Sequence, residues 1–359
     1  MKRKHILWID DARTIAMLLV ILGHCAYTNL MTPYGGMNYP MTSCPDDYSP
    51  IWKLLRMLTA FVFYFHVPLF MMLSGACFSL SIDKYKEFTS FVQVKAKRLL
   101  IPFFFTTLFL SVPLKYISGY YVDSINVVKD IVLGQFLLMG NSHLWFVVSL
   151  FWIFLISYLS IKLGIVYRRG YIIYLVGISV VATYFYNRAG DFLGFLLALK
   201  HLVYFAIGFK YILKIDKIKW GGQILFANVV AYVFLFGIVS KLVTFSGNSV
   251  LLMGTSCLCS VVLGIYGSLI MIQFSKRLCQ VGTITGKKFY RNLSHNSYDL
   301  YLFSDPFNYV LVYMMYMWMG RIATDNMGSL FAFLIRFFGT IFFAYGIIWI
   351  KNKVNRRST

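Results

Sequence analysis

Long apolar runs alternate with short polar breaks along this chain, at residues 13–32, 54–81, 99–118, 144–161, 171–186, 192–213, 222–241, 249–274, 297–317 and 329–350. A helix needs about 20 apolar residues to cross the hydrocarbon layer, whereas a barrel strand needs only about 9–11. Runs of this length and number predict about ten membrane-spanning helices rather than a barrel. Tight links such as Asn187–Asp191 and Phe245–Asn248 predict antiparallel neighbours. The stretch 33–50, with its Pro and Asp residues, is the long polar loop of the early chain. Residues 125–143, with Val127, Val128, Ile131, Val132, Phe136 and Leu137, are too short an apolar stretch to span and predict an interfacial or re-entrant helix on the outer side. No internal repeat is visible, and residues 1–359 are expected to form a single integral-membrane domain.

Composition removes the alternatives. Apolar residues make up 59% of the chain and charged residues 13%, against about 45–50% and 25% in soluble proteins. A soluble enzyme, a disordered segment and a fibrous repeat are thereby excluded. The net charge of +21 would suggest nucleic acid in a soluble protein, but here it belongs to cytoplasmic loops and their anionic headgroups. Membrane lipids, not nucleic acid, are the expected partners. The basic residues cluster in alternate loops: Lys84, Lys86, Lys95, Lys97 and Arg98; Lys162, Arg168 and Arg169; Lys210, Lys214, Lys217 and Lys219; Lys276, Arg277, Lys287, Lys288 and Arg291. With Lys2, Arg3, Lys4 and Arg13 at the start and Lys351, Lys353, Arg356 and Arg357 at the end, they predict that both termini are cytoplasmic. Lys115, Arg188, Lys200 and Arg336 are among the basic residues outside this pattern. Met1–Lys4 precede an apolar run as in a signal peptide, yet Asp10, Asp11 and Arg13 interrupt it, so a retained first span is expected. Six cysteines contain no C-x-x-C pair, and only Cys44 falls in an outer loop, so no disulfide framework and no metal site are expected.

Ionisable groups inside spans are costly and mark function by default. Counted from the nearest run ends, His24, His66, Lys200, His201 and Asp305 fall at roughly middle depth and are expected to share one polar layer. In the first run, Arg13 and His24 are eleven residues apart, which puts them on one helical face about 16 Å apart along the axis. That spacing suits a long ligand with its anionic end on a guanidinium at the cytoplasmic rim and its reactive end at an imidazole within the membrane. His66 precedes Pro68, expected to kink the second span and free a carbonyl. His143-Leu144-Trp145 stands where a span re-enters from outside, and its indole offers a face on which a sugar stacks.

The run Trp8–His24 is followed in order by Phe65-His66-Val67-Pro68-Leu69-Phe70 with Leu73-Ser74-Gly75, then Lys95-x-x-Arg98-Leu99-Leu100-Ile101-Pro102, His143-Leu144-Trp145-Phe146 and Ser297-Tyr298-Asp299-Leu300-Tyr301-Leu302. This series resembles the integral-membrane acyltransferase 3 family, within it most closely the fucose 4-O-acetylase-like branch, over nearly the whole chain. The resemblance implies O-acylation of a carbohydrate hydroxyl, usually acetylation from cytoplasmic acetyl-CoA as co-substrate, on a glycan, lipid-linked sugar or envelope polymer at the cytoplasmic membrane. It implies that Arg13 and His24 are the family's Arg-x10-His motif and that Arg98 is the basic residue preceding its proline. Where the family often has a late-span histidine, this chain has Phe303-Ser304-Asp305.

Such a reaction needs a base, a holder for polyanionic CoA and a donor for the thioester oxyanion. His24 is the expected base, with Asp305 and His66 as further catalytic candidates. Arg13, Arg98 and Lys95, with Lys97, are the expected cationic rim for CoA phosphates. Asp10, Trp145, His143 and Lys200 are expected at the acceptor, and Ser74, Lys200 or an amide near Gly75 at the oxyanion. Direct transfer and an acyl-histidine intermediate both satisfy the residues. The rival reading is a transporter or flippase for a lipid-linked sugar or acyl group, which would more often show paired, similarly broken spans in two halves.

Overall fold

The computed structural model describes residues 6–39, 48–215, 218, 220–245, 250–282, 285–319 and 324–357. Cys44, Lys217, Lys219 and several terminal basic residues used above lie outside them. Among the described residues the chain is all-α apart from one hairpin. Its elements are α1 (Leu7–Gly23), β1 (Asn29–Thr32), β2 (Gly35–Asn38), α2 (Pro50–Phe63), α3 (His66–Ser79), α4 (Phe88–Thr106) and α5 (Val112–Ile117). There follow α6 (Val127–Ile131), α7 (Trp145–Lys162), α8 (Tyr171–Ala189), α9 (Phe195–Ile207), the single turn α10 (Leu213–Ile215) and α11 (Gly222–Phe245). The last are α12 (Val250–Val281), α13 (Lys288–His295), α14 (Ser297–Met319) and α15 (Asn326–Arg357). Among the described residues, eight helical stretches are long and apolar enough to cross a membrane. This is a polytopic all-α membrane protein.

Two apolar runs break where the pattern predicted continuity. The first ends as a helix at Gly23, and Asn29–Thr32 turns back on Gly35–Asn38 as an antiparallel pair. His24 therefore stands at the end of a helix, not halfway along a 13–32 span. The second run divides at Tyr64–Phe65 into α2 and α3, ahead of the expected kink. Pro68 falls in the first turn of α3, where an N–H has no intrahelical partner to lose. The expected short helix within 125–143 forms as α6 with a π-helical continuation, Val132–Phe136.

The helices gather into two compact units that interleave along the chain: Met1–Ala16, Tyr64–Leu99 and Phe146–Ser294 form one, and Met17–Phe63, Leu100–Trp145 and His295–Thr359 the other. In the first unit α3 packs on α9 so closely that a side chain at Gly75 would meet the Phe205 carbonyl, and one at Gly208 the Met72 carbonyl. Asp191 caps α9, its Oδ1 accepting from the amides of Phe192 (2.8 Å) and Leu196 (2.9 Å) and its Oδ2 from Leu197 (3.1 Å). In the second unit α14 and α15 pair, and α2 packs on α15, with Ser49 and Ser329 hydroxyls 2.8 Å apart. Met37, Tyr39, Trp52, Tyr120, Tyr121 and Tyr309 form an aromatic core there beside the hairpin, where Gly36 donates to the Tyr120 carbonyl at 2.8 Å.

Candidate active site

The second unit collects an unusual set of polar groups around the end of α1. His24 keeps its amide in the helical pattern, donating to Val20 (3.2 Å) and Ile21 (3.1 Å) carbonyls, while its Nδ1 lies 2.7 Å from the Val20 carbonyl oxygen. A carbonyl can only accept, so Nδ1 carries a proton, and in the neutral ring the lone pair is on Nε2. That tautomer can act as a general base through Nε2. The half-buried ring packs edge-on to Tyr27 and against Phe63.

Asp305 enters from α14. Its Oδ1 accepts from the Tyr27 hydroxyl at 3.0 Å, and its Oδ2 lies 3.5 Å from His143 Nδ1. The placing of His143 has a local cause in Pro306, which lacks an N–H and so leaves the Leu302 carbonyl without its helical donor. His143 Nε2 fills that vacancy at 3.1 Å, and the Tyr301 hydroxyl donates to the His143 carbonyl at 2.6 Å. Burial pushes His143, in the segment ahead of α7, down to about 4 despite the pull of Asp305. Neutral, and with Nε2 as donor, it turns an Nδ1 lone pair toward the carboxylate, so a proton on either partner would join the two.

Two buried basic side chains complete the group, and neither was singled out from the sequence. Arg336 of α15 is fully buried, its Nε donating to Asn308 Oδ1 (2.7 Å), Nη1 to the Tyr27 carbonyl (2.7 Å) and Nη2 to the His24 carbonyl (2.9 Å). Asn308 in turn donates to the His24 carbonyl and, at 3.2 Å, to the Tyr27 hydroxyl. Lys115 donates to Gln135 Oε1 at 2.9 Å and to the Asn141 carbonyl, between the rings of Tyr120 and Tyr309. A basic residue inside an apolar run was the available signal for Arg336. Val20, Ile21, His24, His143, Tyr301, Ser304, Asp305, Asn308 and Thr340 line a cavity of about 10 Å³. That is room for about one water, so an acyl group can enter only if side chains move.

The remaining sequence candidates fall in the first unit, except Trp145, the half-buried first residue of α7. Arg13 donates to Cys77 Sγ at 3.0 Å and pairs with Asp10 at 3.6 Å. Arg98 and Lys97 are exposed on α4, whereas Lys95 is buried, its ammonium 3.6 Å from the centre of the Phe154 ring and within 5.3–5.5 Å of Phe78, Tyr85 and Phe91. His66 and His201 are buried neighbours that interact electrostatically, and Lys200 stacks on Tyr186 at 5.7 Å. Ser74 and Gly75 lie on α3. Of the residues expected in one polar layer, His24 and Asp305 belong to the second unit and His66, Lys200 and His201 to the first. No cluster of three metal-ligating side chains occurs among the described residues.

A family model described as an acyltransferase domain, that of the acyltransferase 3 family, matches residues 6–350. No curated protein and no solved structure matches the chain.

Proposed function

The chain belongs to the acyltransferase 3 family, and from that premise we propose that this membrane acyltransferase O-acetylates a carbohydrate, taking the acetyl group from cytoplasmic acetyl-CoA. The acceptor class is a glycan, lipid-linked sugar or envelope polymer, the membrane is the cytoplasmic one, and the nearest branch of the family is the fucose 4-O-acetylase-like one. The observation that carries the reading is the His24 imidazole, held by the Val20 carbonyl in the tautomer that leaves Nε2 as acceptor, lining one cavity with the Asp305 carboxylate.

In this mechanism His24 Nε2 takes the proton of the acceptor hydroxyl as its oxygen attacks the thioester carbonyl. Asp305, which interacts electrostatically with His24, opposes the positive charge that the imidazole gains. The tetrahedral intermediate collapses with loss of CoA thiolate, which takes the proton back from the imidazolium. The CoA phosphates are assigned to the cations that the sequence singled out. Arg13 and Arg98 offer guanidinium forks, Lys97 is exposed on the same helix as Arg98, and Lys95 adds charge from within its aromatic cage. Trp145 is assigned to the sugar face.

The test is single-turnover transfer of radiolabelled acetyl from acetyl-CoA to a mixed extract of envelope glycans, using purified protein normalised to its folded fraction, beside a binding assay for the same acetyl-CoA. His24→Ala should bind acetyl-CoA as the wild type does and transfer about 10²–10⁴-fold more slowly. Wild-type transfer by this variant would remove His24 from the chemistry. Accumulation of labelled sugar in vesicles without acetyl transfer would favour a transporter.

A further inference from the structure

Among the described residues, a fully buried guanidinium directs its hydrogen bonds to the residue proposed as base and its neighbours. Arg336 lies within the span Asn326–Val354 with none of its surface exposed. A cation at such a site is costly unless its donors are met. Its three nitrogens each donate to a neutral acceptor, namely the carbonyls of His24 and Tyr27 and the amide oxygen of Asn308, with the Tyr27 ring 5.0 Å away.

Those acceptors are not scattered. One carbonyl belongs to His24 itself, at the point where the chain leaves α1. The other belongs to Tyr27, whose hydroxyl holds Asp305. Asn308 joins the two, donating both to the His24 carbonyl and to the Tyr27 hydroxyl while accepting from Arg336. One turn along α15, Thr340 returns to the cavity wall and donates to the Arg336 carbonyl at 2.7 Å.

We propose that Arg336 is a positioning residue for acyl transfer: its three-armed grip on the His24 and Tyr27 main chain and on Asn308 keeps the imidazole and the Asp305 carboxylate in one reactive geometry. This rests on the reading of His24 as base. Arginine is needed because its planar fork reaches three acceptors at once, whereas a lysine ammonium brings the same charge to a single point.

The test uses the full-length protein, radiolabelled acetyl-CoA and the mixed glycan extract, with Arg336→Gln, Arg336→Lys, His24→Ala and the double variant His24→Ala/Arg336→Gln, all normalised to folded protein. A misplaced reacting group costs about a hundredfold. Arg336→Gln should therefore lose about that factor in kcat, with KM for acetyl-CoA within twofold of wild type, and Arg336→Lys should recover part of the loss. In the His24→Ala background, Arg336→Gln should cost nothing more.

The proposal is overturned if Arg336→Gln keeps kcat within threefold of wild type, or if it slows the His24→Ala enzyme by the same factor as the wild type. It is equally overturned if loss of activity only follows loss of folded protein. Should the glutamine variant not fold, Arg336→Lys decides, since full kcat there would show that the fork is unnecessary. Wild-type turnover by His24→Ala would instead defeat the base assignment, a result separate from a slowed His24→Ala beside a fully active Arg336→Gln.

Discussion

His24 and His201 begin from the same local geometry and end in opposite surroundings. Each ring places Nδ1 2.7 Å from the carbonyl four residues earlier, Val20 in one case and Leu197 in the other, so each presents Nε2 as acceptor. In the second unit, His24 is half-buried and faces a cavity shared with Asp305. In the first unit, His201 is buried, and its electrostatic neighbours are Lys200 and His66. Taking a proton creates a cation, which a carboxylate favours and a lysine opposes. A histidine's tautomer is thus a matter of its own helical turn, but its fitness as a base depends on which charge the fold brings to it.

The largest effect that would break this comparison comes from exchanging the two sites. His24→Ala should lower single-turnover transfer by about 10²–10⁴-fold or more, while His201→Gln should leave it within a few-fold. Equal losses in the two variants, at equal folded protein, would erase the distinction. Next in size is Asp305→Asn, which removes the carboxylate opposing imidazolium charge and should cost about a hundredfold in kcat at unchanged acetyl-CoA affinity. A variant with wild-type kcat would leave His24 acting without its carboxylate.

The first unit is expected to respond in binding instead. Arg13→Ala and Arg98→Ala each remove a charge-assisted bond worth about 1.5–3 kcal/mol, so acetyl-CoA affinity should fall roughly ten- to a hundredfold, as read by equilibrium binding in detergent. Lys162→Ala, a charge at the end of α7, should change it little. Equal losses in all three would mean that only general positive charge matters.

The smallest effect concerns His143. Its folded value, held by burial near 4, lies below the ordinary value of 6.5, so between those limits the unfolded chain binds more protons. Stability should therefore fall as pH drops from about 6.5 toward 4 and be fully present above that window. Melting temperatures across this range should fall less steeply in His143→Asn, and an unchanged slope would place the acid sensitivity elsewhere.

Much of the site was legible because charges in apolar runs are conspicuous. Arg13, His24 and Asp305 stand out for that reason, and the two histidines of the 66 and 201 positions stand out equally, although the fold gives them other company. The grouping of His143 with Asp305 needed Pro306, whose missing N–H leaves the Leu302 carbonyl to the imidazole. Arg336 carried the same warning as His24 but was counted with stray basic residues, because nothing in a one-dimensional pattern says that its donors meet the His24 and Tyr27 carbonyls. The early end of α1 escaped for a similar reason: residues 24–32 are apolar enough to continue a helix, and the break is stabilised by donors from α14 and α15 far along the chain.

The sequence by itself determined that this chain lives in lipid, that it is helical, and that its spans carry ionisable groups needing an explanation. Those properties follow from hydropathy, run length and backbone hydrogen bonding, which are local. Only the tertiary structure decided which imidazole meets a carboxylate and which buried cation grips the base, because an electrostatic environment is assembled from residues distant in sequence and its strength depends on the distances the fold sets.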